Sequence, residues 1–165
     1  MGTLKVNDFE NKLLSASSIG LDSMVFLYHF ADHPLYAPLT ERIFTLVEAK
    51  KISAVTSTIT IAEIFIRAEQ VHDEATIFAY EQAFESLSSL SIISIDAPLA
   101  RLASKLRAKY PKIRLPDAIQ LSATLYKQCP LFITNDKKLT ISELDILYLD
   151  DWITHHSHFH PTVVE

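Results

Sequence analysis

The stretch Ile19-Gly20-Leu21-Asp22-Ser23 is followed by an apolar run, 24–28, and these two segments decide the fold. Mostly apolar residues that end at a carboxylate predict a short buried strand, here 18–22, with Asp22 at its end. A cap-forming Asp22 or Ser23 before the apolar run predicts a helix from Ser23 to about residue 32. The predicted domain therefore begins with a strand that passes directly into a helix.

Short apolar strands alternate with helical segments along the rest of the chain. Further strands are expected at 52–55, 90–95, 131–133 and 144–149. Apolar residues recur at helical spacing between them, which predicts helices at about 35–51, 61–68, 73–88, 98–110 and 116–128. This alternation predicts an α/β fold, with a central parallel sheet of about five strands flanked by helices on both faces.

The chain is expected to form one domain over 18–153, with an N-terminal extension, 1–17, and a C-terminal tail, 154–165. Its 165 residues suffice for a single well-filled core. The extension is polar and weakly patterned, and a short helix over 7–14 is the one element that it suggests. The histidine-rich tail is expected to be mobile, with a transition-metal site as the less favoured alternative.

The composition excludes several classes of function. Gly2 and Gly20 are the only glycines, so the chain can build neither a phosphate-binding loop nor a dinucleotide fingerprint. One cysteine, Cys129, allows no internal disulfide, which fits a reducing cytoplasm. No apolar run approaches the roughly 20 residues of a membrane span, and the charged amino-terminal segment is unlike a secretory signal. We therefore expect a cytoplasmic location and no membrane contact.

Four acids are expected at one edge of the predicted sheet. Asp22 ends the first strand and Asp136 follows the fourth, while Glu63 and Asp117 lie near helix starts. Ligands of open α/β sheets bind outside the carboxyl ends of the strands, so the four acids could meet there. Each also has a purely structural explanation, as a helix cap, a capping box with Thr60, a first-turn acid or a turn residue. Only the functional explanation requires the four to lie together.

Four segments of the sequence resemble the signature segments of PIN domains in order and spacing. They are Ile-Gly-Leu-Asp-Ser-Met-Val (19–25), Thr-Ile-Thr-Ile-Ala-Glu-Ile (58–64), Leu-Pro-Asp-Ala-Ile-Gln-Leu-Ser-Ala (115–123) and Leu-Phe-Ile-Thr-Asn-Asp-Lys-Lys-Leu (131–139). The chain is most similar to the small PIN ribonucleases typified by the toxins of VapBC toxin–antitoxin pairs. The resemblance covers about residues 18–152, and the extension 1–17 departs from it.

The resemblance implies a PIN-like fold and a Mg²⁺- or Mn²⁺-dependent endoribonuclease that acts as the toxin of a toxin–antitoxin pair. The partners that we expect are an RNA substrate, a cognate antitoxin and a second copy of the chain in a homodimer. The family's catalytic and metal-binding acids correspond to Asp22, Glu63, Asp117 and Asp136. Thr134 takes the family's supporting hydroxyl position, and Ser23 is a second supporting candidate.

The residue types suit metal-dependent phosphodiester hydrolysis. Mg²⁺ and Mn²⁺ prefer oxygen ligands and retain several waters. One ion can activate a water as the nucleophile, and a second can stabilise the leaving oxygen. We expect Asp22 and Asp117 to hold the first ion, with Glu63 and Asp136 contributing directly or through water.

Two rival functions remain open at this point. The first is a non-catalytic regulatory or interaction module that keeps the fold and the acids. The net charge of −5 favours this module over a protein that coats nucleic acid, although it does not argue against a nuclease with a metal-binding site. The second rival is cleavage of DNA instead of RNA.

A basic stretch, 101–114, contains no acid and leads to Asp117. It could guide the RNA backbone to the acids, or it could be the solvated face of an amphipathic helix. Arg67, one turn beyond Glu63, could pair with a substrate phosphate, with Glu63 or with a protein partner. The candidates for RNA-backbone contacts are Arg67, Arg101, Lys105, Lys109 and Arg114.

Overall fold

The computed structural model describes residues 2–153, with side chains from residue 7 onward. The expected tail, 154–165, lies outside the described residues. Within them the elements in chain order are α1 (Gly2–Ala16), β1 (Ser18–Leu21), α2 (Ser23–Phe30), α3 (Ala37–Glu48), β2 (Ser53–Ser57), α4 (Thr58–Gln70), α5 (Glu74–Ser86), β3 (Leu90–Ile93), α6 (Ala97–Lys109), α7 (Leu115–Tyr126), β4 (Leu131–Thr134), β5 (Asp145–Tyr148) and a 3₁₀ helix (Leu149–Trp152).

The five strands form one parallel sheet in the order β3-β2-β1-β4-β5. This confirms the predicted α/β fold. The chain first adds β2 and β3 on one side of β1, and then returns to add β4 and β5 on the other side. The strand order therefore reverses between β1 and β4, which is the place where open parallel sheets bind their ligands.

The helix α7 packs directly against the middle of β1. A Cβ at Gly20 would lie 2.0 Å from Oγ1 and 2.5 Å from Cγ2 of Thr124, and 2.8 Å from Cδ2 of Phe132. These distances are shorter than any van der Waals contact, so only glycine allows this approach. Gly20 thus sets how closely α7, which contains Asp117, lies against the strand that ends before Asp22.

Two clusters of buried apolar side chains hold the layers together. One contains Phe9, Phe26 and Phe44, and the other contains Leu99 and Phe132. The central strands β1 and β4 are buried almost throughout, which explains their apolar composition. No helix within residues 2–153 is both long enough and apolar enough to cross a membrane.

The amino-terminal helix is longer and better packed than the sequence suggests. The helix expected over 7–14 spans Gly2–Ala16, and both Phe9 and Leu13 are fully buried in the first core cluster. The ring of Phe9 lies 5.4 Å from that of Trp152. The segment looks polar in the sequence because its buried apolar residues, Phe9 and Leu13, are four positions apart and lie on one face of the helix.

The end of β2 differs from the prediction. Thr56 and Ser57 lie beyond the strand expected over 52–55, but they belong to the strand and are buried. Helix α4 begins immediately afterwards at Thr58. The hydroxyls of Thr56 and Ser57 find hydrogen-bond partners inside the protein, which allows polar residues at a buried strand end.

Candidate active site

The edge of the sheet where β1 and β4 end contains the four predicted acids. The backbone N–H of Asp22 donates to the carbonyl of Ile133 at 3.0 Å, so Asp22 continues the pairing of β1 with β4. A cavity of about 570 Å³ opens at this edge. Its lining includes Asp22, Glu63, Asp117 and Asp136. The structure therefore brings together acids that are far apart in the sequence.

Asp22 is the most perturbed of these acids. Its carboxylate is 9% exposed, and it accepts a hydrogen bond of 2.5 Å from Oγ1 of Thr134. Burial, followed by the negative charges of Asp117 and Glu63, raises the pKa of Asp22 to about 6, against the lowering effect of the Thr134 hydroxyl. The site thus favours a cation or a proton beside this carboxylate.

Asp117 is paired with a cation of its own helix. Nε of Arg114 donates to Oδ2 at 2.9 Å, and Nη2 donates to Oδ1 at 3.2 Å. This pair raises the pKa of Arg114, which is also close to Asp136 and Glu63. Asp117 lies in the first turn of α7, so its structural role as a first-turn acid is real. That role and a place in the cavity are compatible.

Glu63 is held through Ser23. The hydroxyl of Ser23 donates to Oε2 of Glu63. The side-chain amide of Gln120 donates to Oγ of Ser23 at 2.7 Å and to Oγ1 of Thr60 at 2.6 Å. Because Ser23 accepts from Gln120, its single proton is available for Glu63, which orients that carboxylate.

The same amide anchors the end of β2. Oε1 of Gln120 accepts from the hydroxyls of Thr56 at 3.1 Å and Ser57 at 3.4 Å. Four residues with hydroxyls surround Gln120, and all of them are buried: Ser23, Thr56, Ser57 and Thr60. Gln120 itself is 1% exposed. Gln120 is not among the site residues predicted from the sequence. The available signal was a polar side chain one turn after Asp117, on a helix whose neighbouring residues are apolar.

Thr134 links Asp136 to Asp22. Its Oγ1 accepts from the backbone N–H of Asp136 at 3.1 Å, which leaves the hydroxyl proton for the carboxylate of Asp22. Oδ1 of Asp136 accepts from the backbone N–H of Lys138 at 2.9 Å, so Asp136 also stabilises its own turn, as the structural explanation proposes.

Two of the structural explanations for the acids are wrong. Asp22 occupies the N-cap position of α2, but its side chain makes no capping hydrogen bond. Helix α4 begins at Thr58, so Thr60 lies inside it and no Thr60–Glu63 capping box forms. Thr60 bonds instead within the buried network around Gln120. The positions of Asp22 and Glu63 therefore have no explanation in helix capping.

Comparison with known families agrees with this geometry. The family model of the PIN domain matches residues 19–146. The chain belongs to the PIN domain family. A comparison of this PIN domain with curated protein sequences finds no match.

Solved structures resemble the PIN domain in fold. A chain of the VapBC2 complex from Rickettsia felis, bound to a promoter DNA fragment, is 18% identical with a TM-score of 0.60, covering 79% of this chain and 98% of its own length. A toxin–antitoxin complex from Klebsiella pneumoniae contains a chain that is 23% identical (TM-score 0.57; 80% and 97% covered). DNA-bound VapBC from Salmonella typhimurium contains one that is 17% identical (TM-score 0.62; 80% and 97% covered).

The four acids of this PIN domain offer carboxylate oxygens, which are the ligands that a hard divalent cation prefers. Among residues 2–153, no three His, Cys, Asp or Glu side chains are close enough to surround one metal ion. Mg²⁺ is usually held by one or two carboxylates together with waters and substrate phosphates, so a three-carboxylate cage is not required. Burial, and after it the negative charges of Asp117 and Glu63, raises the pKa of Asp22, and these neighbouring charges favour such a cation.

The cations proposed for RNA contacts lie in different places. Arg114 lines the acid cavity of the PIN domain, whereas Arg67, Arg101, Lys105 and Lys109 do not. Lys109 pairs with Glu143 at 2.7 Å, and this contact with Tyr110 nearby lowers the pKa of Glu143 to about 2. Lys109 is thus already neutralised by an acid.

Proposed function

We propose that this PIN domain is an endoribonuclease that uses Mg²⁺ or Mn²⁺ to hydrolyse phosphodiester bonds of RNA. The observation that carries the proposal is the convergence of Asp22, Glu63, Asp117 and Asp136 on one cavity at the point where the strand order reverses. Membership of the PIN family supports the same function. Catalysis by these acids and their role as metal ligands are both part of the proposal.

In this proposal the hydrogen bonds of the site orient the acids that hold the metal. Asp22 and Asp117 hold the first ion, and Glu63 and Asp136 contribute directly or through water. Thr134 fixes the Asp22 carboxylate by donating to it, and Ser23 does the same for Glu63. When bound, the metal would supply Lewis acidity that activates a water and stabilises the leaving oxygen of the phosphodiester.

We further propose that the chain is the toxin of a toxin–antitoxin pair. Support comes from the three structural neighbours, which are described as VapBC or toxin–antitoxin complexes. The proposed partners are RNA, a cognate antitoxin and a second copy of the chain, and the proposed location is the cytoplasm. Induced expression should then arrest growth of a bacterial host, and the Asp22→Asn variant should not.

A cleavage assay tests the enzymatic proposal. Fluorescent single-stranded RNA and DNA of matched sequence are incubated with the protein in Mg²⁺, Mn²⁺ or EDTA. We expect cleavage of RNA with either metal and none in EDTA, and loss of at least about 100-fold in rate for Asp22→Asn and Asp117→Asn. Glu81→Gln, on the exposed face of α5, is the matched control and should retain full activity.

Two other outcomes would favour the rival functions. Preferential cleavage of the DNA strand, lost in the same variants, would make the chain a deoxyribonuclease with the same site. No cleavage of either strand by the folded protein, in either metal, would favour the non-catalytic regulatory or interaction module.

A further inference from the structure

A cleft lined by lysines continues from the acid cavity toward the loops after α6 and β4. A small cavity of about 210 Å³ shares Arg114, Asp117 and Asp136 with the acid cavity. It shares Lys112 and Lys138 with a larger neighbour of about 460 Å³. The three cavities therefore adjoin one another, and the small and the larger cavity together form a lysine cleft beside the acids.

Three of the five described cations that line the lysine cleft are already paired with acids, one of them being Arg114 with Asp117. Lys109 pairs with Glu143 at 2.7 Å, and Lys137 pairs with Asp151 at 2.6 Å. Lys112 and Lys138 form no ion pair with any residue of the described part of the chain, 2–153. Both are exposed, and both line both cavities of the cleft.

The loops that present these two lysines are fixed by hydrogen bonds. The backbone N–H of Lys138 donates to Oδ1 of Asp136 at 2.9 Å. On the other side, Nη1 of Arg107 donates to the carbonyl of Pro111 at 2.8 Å, and the neighbouring Ile113 is 2% exposed. The backbone at both lysines is thus held in place, and both side chains line the small cavity together with Asp117 and Asp136.

The part of the acid cavity that does not border the lysine cleft has a different character. Its lining contains Met24, 41% exposed, Ile66, 52% exposed, and the ring of Tyr28. Arg114 is the only cation among the described residues that line the acid cavity, and it is engaged with Asp117. Apolar and aromatic surface suits the bases of a single strand, whereas unpaired ammonium groups suit its phosphates.

We propose that Lys112 and Lys138 form a subsite for the phosphates on one side of the bond that is cut. This inference rests on the proposed ribonuclease function and specifies how the substrate lies. A phosphodiester strand that enters a site of four acids is repelled, and two unpaired cations next to the acids offset that repulsion. The phosphates of the strand then contact the two lysines, and its bases contact the apolar and aromatic side chains of the acid cavity.

Binding of chemically altered RNA tests this subsite. Fluorescence anisotropy is measured in Mg²⁺ on the cleavage-deficient Asp22→Asn background, using a single-stranded RNA in which one phosphate at a time is a neutral methylphosphonate. We expect weaker binding, by about threefold or more, for neutral positions in one short stretch of the strand. In the double variant Lys112→Gln/Lys138→Gln this penalty should disappear, because the charge that recognised those phosphates is gone.

The salt dependence gives a second readout on the same proteins. Loss of two phosphate contacts should reduce the slope of log affinity against log salt by about 1.4 for single-stranded RNA. The matched control is Lys51→Gln/Lys127→Gln, two exposed lysines that precede β2 and β4 and so lie at the opposite edge of the sheet. The control should change neither the slope nor the methylphosphonate pattern.

The two proposals fail in distinguishable ways. If the native protein cleaves RNA but the Lys112/Lys138 variant keeps the slope and the methylphosphonate penalties, the subsite is wrong and the ribonuclease stands. If the lysine-dependent penalties are present but no metal supports cleavage by the native protein, the subsite stands and the ribonuclease is wrong. Absence of any RNA binding, or equal losses in the control, would also overturn the subsite.

Discussion

Arg114 and Asp117 form a two-bond ion pair across the first turn of α7, with Nε 2.9 Å from Oδ2 and Nη2 3.2 Å from Oδ1. The carboxylate is buried, with 8% of its side chain exposed, while the guanidinium is 73% exposed. A cation from the chain itself therefore occupies an acid that we propose as a metal ligand. Metal binding at Asp117 would have to compete with Arg114 for the same oxygens.

This competition predicts that Arg114→Gln binds Mn²⁺ more tightly than the native protein. An ion pair with one exposed partner contributes about 1 kcal/mol, so removing it should increase the affinity about fivefold. Titration followed by the electron paramagnetic resonance of free Mn²⁺, without RNA, measures the effect. Arg107→Gln, an exposed arginine that bonds to the Pro111 carbonyl, is the control. An unchanged or weaker Mn²⁺ affinity in Arg114→Gln would show that the pair does not compete with metal.

The pKa of Asp22 predicts a pH-dependent cost in stability. An acid with a folded-state pKa of about 6, raised from 3.8, binds its proton more tightly in the folded state. The free energy of unfolding therefore falls as pH rises from about 4 to about 6, by about 3 kcal/mol in total, and the loss is complete above pH 6. Asp22→Asn has no such titration, so it should be more stable than the native protein at pH 7.5, without added metal.

Denaturant unfolding of both proteins at several pH values measures that difference. The advantage of Asp22→Asn should shrink through the window from pH 6 to pH 4 and vanish below it. Carboxylates away from the acid cavity titrate alike in both proteins and cancel in the comparison. A difference that stays constant with pH would contradict the raised pKa.

Gln120 is predicted to stabilise the floor of the site. Gln120→Leu keeps a similar volume but removes one hydrogen-bond partner from each buried hydroxyl around it. Ser23, Thr56 and Thr60 keep other partners, whereas the hydroxyl of Ser57 loses its bond to Gln120. Each buried polar group without a hydrogen bond costs about 1–3 kcal/mol, so we expect a loss of about 2–4 kcal/mol in the free energy of unfolding. Gln82→Leu, on the exposed face of α5, should change stability by less than about 0.5 kcal/mol. Equal effects of the two substitutions would refute the buried network.

Gly20 is predicted to tolerate no side chain while Thr124 faces it. Gly20→Ala places a Cβ 2.0 Å from Oγ1 of Thr124, so we expect a loss of about 3 kcal/mol in stability. Thr124→Ala removes both of the closest atoms. It should destabilise the native protein slightly, because Thr124 donates to the Gln120 carbonyl at 3.0 Å, but stabilise the Gly20→Ala variant. Thermal unfolding of the four proteins measures this coupling; the same sign of effect in both backgrounds would contradict the close packing.

The sequence predicts the strands and the edge where the acids meet because those features depend on local pattern. Asp22 follows a fully apolar stretch, and the rule that parallel strands end at one edge places it near Asp136. The reversal of strand order between β1 and β4 is a long-range property, and it appears only in the structure.

The features that the sequence did not predict depend on side-chain contacts between distant segments. Thr56 looks like a cap because its hydroxyl suits a helix start, but its partners are Leu21 and Gln120, far along the chain. Lys112 is one of several cations in the basic stretch, 101–114, and Lys138 looks like any surface lysine. Only the fold reveals which lysines of the lysine cleft already have an acid beside them. The sequence predicts only part of helix α1, because the buried face of this helix consists of few residues, with Phe9 and Leu13 among them.

The proposed mechanism requires that Asp22, together with at least one other acid of the cavity, holds a divalent metal ion. Anomalous diffraction at the manganese absorption edge, from a crystal soaked in Mn²⁺, tests this claim most directly. We expect a manganese peak within roughly 2.5 Å of the Asp22 carboxylate and of at least one of Glu63, Asp117 and Asp136. We expect no such peak in a crystal of Asp22→Asn. A fully soaked native crystal with no manganese among the four acids would contradict it.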